Sequence, residues 1–251
     1  MSTPLRAITF DLWNTLIVSP EEVEAARVEA RLEALTNALG EIGWPVERER
    51  LLRAYLICGE QHARVQARGQ DIAAEVHVGL LLAALEPDGV GAITYEQHAR
   101  IVEAYGRAAL VAPPVLVDGA AMVLASCRQR GLRLGLISNT SRTSGRVLRQ
   151  IMRNLEIYDA FNALIFSDEV GLAKPNPAIF ARALAALGVG AAEAMHVGDD
   201  EILDSMGARG SGMRVILVSD VQPTALAPKE QWIQRLADLP QMLDETSLSA
   251  T

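Results

Sequence analysis

Between Asp118 and Val218 short apolar runs alternate with helical stretches, and that alternation leaves the chain few folds to choose from. Residues 132–137, 163–166, 194–197 and 214–218 are short, apolar and prone to strand formation. Helix signals lie between them. Asp118-Gly119 opens one helix that Gly131 closes, and a second spans about 143–155. Asn176-Pro177 caps a third, whose Ile179, Ala183, Leu184 and Leu187 form one apolar face before Gly188. The run Ala7-Ile8-Thr9-Phe10 adds a fifth strand far upstream. Five such strands joined through helices predict an α/β fold with a doubly wound, Rossmann-like parallel sheet, because parallel neighbours need crossover connections.

Residues 17–108 contain no comparable strand. Ser19-Pro20-Glu21-Glu22 predicts a helix start, with Ser19 as N-cap and Glu22 closing a capping box. Val28, Leu32, Leu35 and Leu39 then form an amphipathic stripe that Gly40 and Gly43-Trp44-Pro45 end. Helical patterns follow near 47–67, 71–85 and 94–109, separated by Gly69, by Pro87-Asp88-Gly89 and by Gly91. The expected organisation is an all-helical cap domain, 17–108, inserted into a core made of 1–16 and 109–251. Only the tail after Thr246 reads as low in structure.

Half of the chain is apolar and 22% is charged, the balance of a globular protein. A net charge of -8 argues against nucleic acid or an anionic membrane as partner, while a local pocket can still take a small anionic molecule. Cys58 and Cys127 stand far apart and outside any metal-ligand spacing, which reads as reduced thiols. The first residues lack a signal-peptide pattern, and no apolar run approaches the ~20 residues that span a bilayer. A soluble, cytoplasmic protein is expected, with monomer and homodimer both compatible. His196 reads as a packed strand histidine, and His62, His77 and His98 as solvated or core residues.

In an open parallel sheet the binding crevice lies beyond the carboxyl ends of the strands. Asp11 follows the first strand, Ser138-Asn139-Thr140 the second, Lys174 the third and Gly198-Asp199-Asp200 the fourth. Lys174 and Lys229 are the only lysines, every other basic residue being arginine, so a lysine in such a loop carries information. Carboxylates, a hydroxyl, an amide and an ammonium converging there suit an anionic substrate together with a divalent cation.

The segment 10–16, Phe-Asp-Leu-Trp-Asn-Thr-Leu, resembles the nucleophile motif of the haloacid dehalogenase superfamily. Ile137-Ser138-Asn139 is similar to its second motif, the segment 167–177 around Lys174 to its third, and His196-Val197-Gly198-Asp199-Asp200 with Asp204 to its fourth. The resemblance implies a hydrolase in which Asp11 is the nucleophile. In its phosphatase members Mg²⁺ would be held by Asp11, by the Trp13 carbonyl and by Asp199, with Asp204 or Asp200 as a further acid. Ser138, Asn139, Lys174 and Thr15 would contact the phosphoryl group, and cap residues would set specificity, with Arg27, Arg31, Arg53, Arg64, Arg68 and Arg100 among the cap's arginines.

One departure matters. The phosphatases carry a second aspartate two residues after the nucleophile, a proton donor worth ~10²–10⁴ in rate, and this chain has Trp13 there. Three readings stand: a Mg²⁺-dependent phosphatase with a weakened proton transfer, a metal-free 2-haloacid dehalogenase, and a non-catalytic phosphate-binding member. An aromatic at position 13 suits the dehalogenase. Gly198-Asp199, where the dehalogenases have serine and asparagine, and Phe180, where they have tyrosine, do not. Phosphonoacetaldehyde hydrolase needs a cap lysine, and none precedes Lys174.

Overall fold

A computed structural model describes residues 3–86, 93–223 and 230–248. The predicted turn at Pro87-Asp88-Gly89, Gly91 and Lys229 lie outside the described residues. Strand β1 (Ala7–Phe10) is completely buried at the centre of a six-stranded sheet. Beside it run β4 (Arg133–Ser138) and β6 (Ala194–Gly198), flanked by β5 (Ala163–Phe166) on one side and by β7 (Arg214–Val218) and β8 (Glu230–Ile233) on the other. The order is β5-β4-β1-β6-β7-β8 and every pairing is parallel. The direction in which successive strands are added therefore reverses across β1, which makes the carboxyl ends of β4, β1 and β6 the topological switch point.

Helices cover both faces of the sheet. Helix α5 (Ala120–Gln129), α6 (Gly145–Asn154) and α10 (Leu239–Leu248) lie over one face, where Phe10, Leu124, Leu136, Leu148, Ile216 and Leu243 belong to one core. Helix α8 (Pro177–Leu187) and the single turn α9 (Gly207–Gly210) cover the other, through Ile137, Phe180, Ala183 and Val215. The turn α7 (Ser167–Val170) leads from β5 into the Lys174 loop. Asn176 accepts from the Ala178 N–H and Gly188 adopts φ +64, so α8 is capped at both ends as the sequence predicts.

The chain leaves β1 and returns to the core through a short antiparallel ribbon, β2 (Ile17–Val18) with β3 (Val115–Leu116). Between them lie α1 (Glu21–Glu41), α2 (Arg48–Gln66), α3 (Ala74–Leu85) and α4 (Tyr95–Val111). Helix α1 packs along α4 and α2 along α3 around a separate core of Leu32, Leu35, Leu51, Leu81 and Ile101. The loop joining α2 to α3 reaches the sheet domain: Gln70 bridges Leu172, Asp71 N donates to Gly171 O at 3.3 Å, and Ala173 N donates to Gly69 O at 3.1 Å.

Three expectations are corrected. The sheet has six strands: Glu230–Ile233 pairs with β7, although Trp232-Ile233 is too short an apolar run to signal a strand in the sequence. Pro20 occupies the N-cap of α1 without a side-chain hydrogen bond, since the Ser19 hydroxyl accepts instead from Arg27 at 2.7 Å. The last helix runs past Thr246 to Leu248. Both cysteines are free and buried, and burial pushes each thiol up to about 11. No helix among the described residues is long and apolar enough to cross a membrane.

His62 and His77 are buried between the helices, while His98 is half-buried. His62 Nε2 meets Asp71 Oδ1, the two Nδ1 atoms of His62 and His77 lie 2.9 Å apart, and His77 Nε2 lies 3.0 Å from the Tyr105 hydroxyl. Burial first, then the neighbouring His62, lowers the His77 pKa from 6.5 to about 3. The folded protein thus keeps His77 neutral where the unfolded chain takes up a proton, so stability must fall as pH drops below 6.5. Denaturation titrations between about pH 8 and 5 should show a loss of about 2 kcal/mol from this residue, and His77→Gln should flatten that limb.

Candidate active site

Asp11 is the first residue beyond β1, and its backbone N–H continues the sheet by donating to Val197 O at 2.9 Å. That bond fixes the carboxylate at the end of the central strand. The carboxylate is 6% exposed and forms an ion pair with the Lys174 ammonium, itself 2% exposed. Lys174 Nζ also donates to Asp204 Oδ1 at 2.6 Å. Asp204 sits one helical turn after β6, in a π-helical segment spanning Glu201–Met206, and its Oδ2 accepts from Asp200 N at 3.1 Å. The Asp200 side chain turns away to cap the N–H groups of Ile202 and Leu203.

Behind Asp204 a line of polar groups runs into the sheet. His196 Nε2 lies 2.9 Å from Asp204 Oδ1, and His196 Nδ1 lies 2.8 Å from the Thr9 hydroxyl. An ionised Asp204 can only accept, which assigns the proton to Nε2 and makes Nδ1 an acceptor from Thr9. Phe180 covers the histidine edge-on, with ring centroids 5.2 Å apart.

The electrostatics follow from this packing. Burial pushes the Asp11 carboxyl from 3.8 up to about 7; Lys174 opposes the rise, and Asp204 and Asp199 add to it. Burial also acts to raise Asp204, but Lys174 and His196 outweigh it and hold that carboxyl well below the usual range. Burial opposes the charge on Lys174, yet Asp11 and Asp204 together keep its ammonium charged far beyond neutral pH. Asp199 is raised by burial and then by Asp204. Oxygens of Asp11, Asp199 and Asp204 lie within 4.8 Å of one another. Three carboxylates against one ammonium leave the cluster net negative, and such oxygen donors fit a hard divalent cation.

The other predicted residues gather at the same place. Thr15 is buried and its hydroxyl donates to Asp199 Oδ1 at 3.3 Å. Ser138 ends β4, fully buried, with a long contact of 3.4 Å from its hydroxyl to Asn139 O. Asn139 grips the lysine loop by its backbone: Nδ2 donates to Lys174 O at 3.1 Å and Oδ1 accepts from Lys174 N at 2.8 Å. Trp13 is half-buried and lines a small pocket together with Asn139, Arg27 and Arg31. The expectations of His196 as a packed strand histidine and of no role for Thr9 miss their part in the site. Their signal was available, two polar residues inside otherwise apolar strands, and they are register partners.

Known proteins match this chain as follows. The family model of the haloacid dehalogenase-like hydrolases matches residues 5–212. A glyceraldehyde 3-phosphate phosphatase of Methanopyrus kandleri is 30% identical over 85% of the chain and 84% of its own length. Haloacid dehalogenase-like hydrolase domain-containing protein 3 of Mus musculus is 37% identical over 51% of this chain, and the matched region spans about half (52%) of that relative. Among solved structures, a 2-haloacid dehalogenase from Pseudomonas syringae superposes over 96% of this chain and 99% of its own with a TM-score of 0.72 at 23% identity, a likeness of fold.

Gly198 keeps the cluster together by what it lacks. A Cβ there would overlap the Asp204 carboxyl group, which is already fixed by Lys174, His196 and Asp200. Gly198→Ala should cost about 1–3 kcal/mol and lower the melting temperature, as overpacking does.

Proposed function

The chain belongs to the haloacid dehalogenase-like hydrolases, and from that premise we propose that it is a magnesium-dependent phosphatase acting on a small phosphorylated metabolite in the cytoplasm. The observation that carries this reading is the carboxylate triad of Asp11, Asp199 and Asp204 beside a buried Lys174. A metal-free ester mechanism has no use for Asp199, whereas phosphoryl transfer needs charge neutralised on every side. The phosphatase name of the Methanopyrus kandleri relative agrees with it.

In this proposal the Asp11 carboxylate attacks phosphorus as the P–O bond to the alcohol breaks, the alcohol oxygen leaving as an anion or taking a proton from water. Water then hydrolyses the aspartyl-phosphate to inorganic phosphate and free Asp11. Lys174 neutralises phosphoryl oxygens while Asp204, backed by His196 and Thr9, keeps its ammonium aimed at Asp11. Ser138 offers the hydroxyl at the end of β4, Thr15 orients Asp199, and Asn139 positions the Lys174 loop. Mg²⁺ would be held by Asp11, Asp199, Asp204 and the Trp13 carbonyl, and would supply charge compensation between carboxylates and substrate. Residues 17–108 are taken as a cap over the crevice and 1–16 with 109–251 as the core.

Trp13 supports a second reading. Its indole beside the pocket is the feature that suits a 2-haloacid dehalogenase, in which Asp11 would attack carbon. A panel of phosphate esters and 2-haloacids, run with and without Mg²⁺, separates the two.

Asp11→Asn should lower turnover by at least about 1,000-fold with the fold retained, checked by steady-state kinetics beside circular dichroism. With no acid at position 13, wild-type rates should depend steeply on leaving-group acidity, favouring aryl over alkyl phosphates. Trp13→Asp should raise alkyl-phosphate hydrolysis more than aryl, by less than the full ~10²–10⁴, because its surroundings are shaped for an indole. A dehalogenase would instead lose 2-haloacid activity on the same substitution. A leaving-group series for both proteins reads the difference.

A further inference from the structure

Next to the carboxylate cluster is a pocket of about 220 Å³ that shares Trp13 and Asn139 with the site. Three guanidinium groups line it: Arg27 and Arg31 from α1 and Arg142 from the loop after β4. Their charges are not equally met. Arg27 pairs with Glu24 at 2.6 Å and also donates to Ser19 and to the Ala112 carbonyl. Its Cζ stands 5.5 Å from the Trp13 ring.

Arg31 is 1% exposed and has no carboxylate partner among the described residues. It donates to the Thr143 hydroxyl at 2.7 Å and to the Tyr55 hydroxyl at 3.3 Å, its Cζ lies 5.4 Å from the Tyr105 ring, and its Nε has no partner. Arg142 likewise lacks a carboxylate among the described residues. Its Cζ stacks 4.6 Å from the Tyr55 ring and its buried Nε has no partner. In a chain with a net charge of -8, these two adjacent cations meet hydroxyls, the Arg142 carbonyl and ring faces, and no carboxylate among the described residues, an environment that suits an added anion.

The space for Arg142 is built into α2. Gly59 lies within that helix, where glycine costs about 1 kcal/mol relative to alanine, and a Cβ there would overlap the Arg142 guanidinium. The helix therefore carries a destabilising residue where the arginine needs room.

We propose that Arg31 and Arg142 bind a second anionic group of the substrate, a carboxylate or phosphate on the same small molecule whose phosphoryl group faces Asp11. The planar fork of a guanidinium matches such an oxyanion, and two of them select a bifunctional substrate over a simple ester. The identity of the first anion rests on the phosphatase reading; the second site does not.

The test is titration calorimetry on the Asp11→Asn protein with three probes: ethyl phosphate, 2-phosphoglycolate and propane-1,3-diol bisphosphate. At least one bifunctional probe should bind ten-fold or more tighter than ethyl phosphate, and which of the two does so distinguishes carboxylate from phosphate. Adding Arg142→Met should erase that advantage, about 10- to 100-fold in Kd, the loss of a charged hydrogen bond. Gly59→Ala should weaken the same probe by crowding Arg142 while leaving the melting temperature equal or higher, which separates loss of the site from loss of the fold. Equal affinity for all three probes, or an equal loss on all three in both variants, overturns the proposal. Hydrolysis of ethyl phosphate by the wild type without any bifunctional preference keeps the phosphatase and sinks this site. Failure of every phosphate probe, with 2-chloropropionate bound in an Arg142-dependent way, does the reverse.

Discussion

The ion pair between Lys174 and the two carboxylates, Asp11 and Asp204, is the constraint on which the rest of the site depends. Each of the three groups is almost fully removed from water, so none could stay charged alone. Burial pushes Asp11 upward and opposes the charge on Lys174; their proximity keeps the ammonium charged and limits, without cancelling, the rise at Asp11. The fold meets this demand with successive supports: Asp11 is pinned by a sheet hydrogen bond, Lys174 by the Asn139 amide, and Asp204 by His196 and the Asp200 N–H. Removing one partner would strand the others as buried, unpaired charges, which is more costly than losing a contact.

Much of this was legible in the sequence because topology did the gathering. Asp11, Ser138, Lys174 and Asp199 lie far apart in the chain, yet each ends a predicted strand or follows one closely, and a doubly wound sheet brings such ends together. What could not be read was partnership. Thr9 and His196 looked like strand residues because their role exists only across the β1–β6 register. Asn139 reads as a ligand for substrate, whereas its amide spans the backbone of Lys174. Strand β8 escaped because its apolar part is only Trp232 and Ile233, too short a run to separate from a loop.

The arginines of the helical segment teach the same lesson. Arg27, Arg31, Leu35 and Leu39 follow one another at intervals of four, so both arginines fall along the edge of the apolar stripe of α1 and are buried with it. Arg53 lies on a solvated face with Glu49. Helical phase thus held the information that distinguishes them, but what the inward arginines meet, Ala112 for Arg27 and Tyr55 and Thr143 for Arg31, comes from other elements.

The loop between α2 and α3 is stitched to the loop that carries Lys174 through Gly69, Gln70 and Asp71, and Asn176 adds a bond from its side chain to Gly69 O at 3.0 Å. A hinge confined to the β2–β3 ribbon would tear this seam. Movement of these helices about the ribbon would either carry the lysine loop along or break those hydrogen bonds, so it is mechanically coupled to the seating of the ammonium.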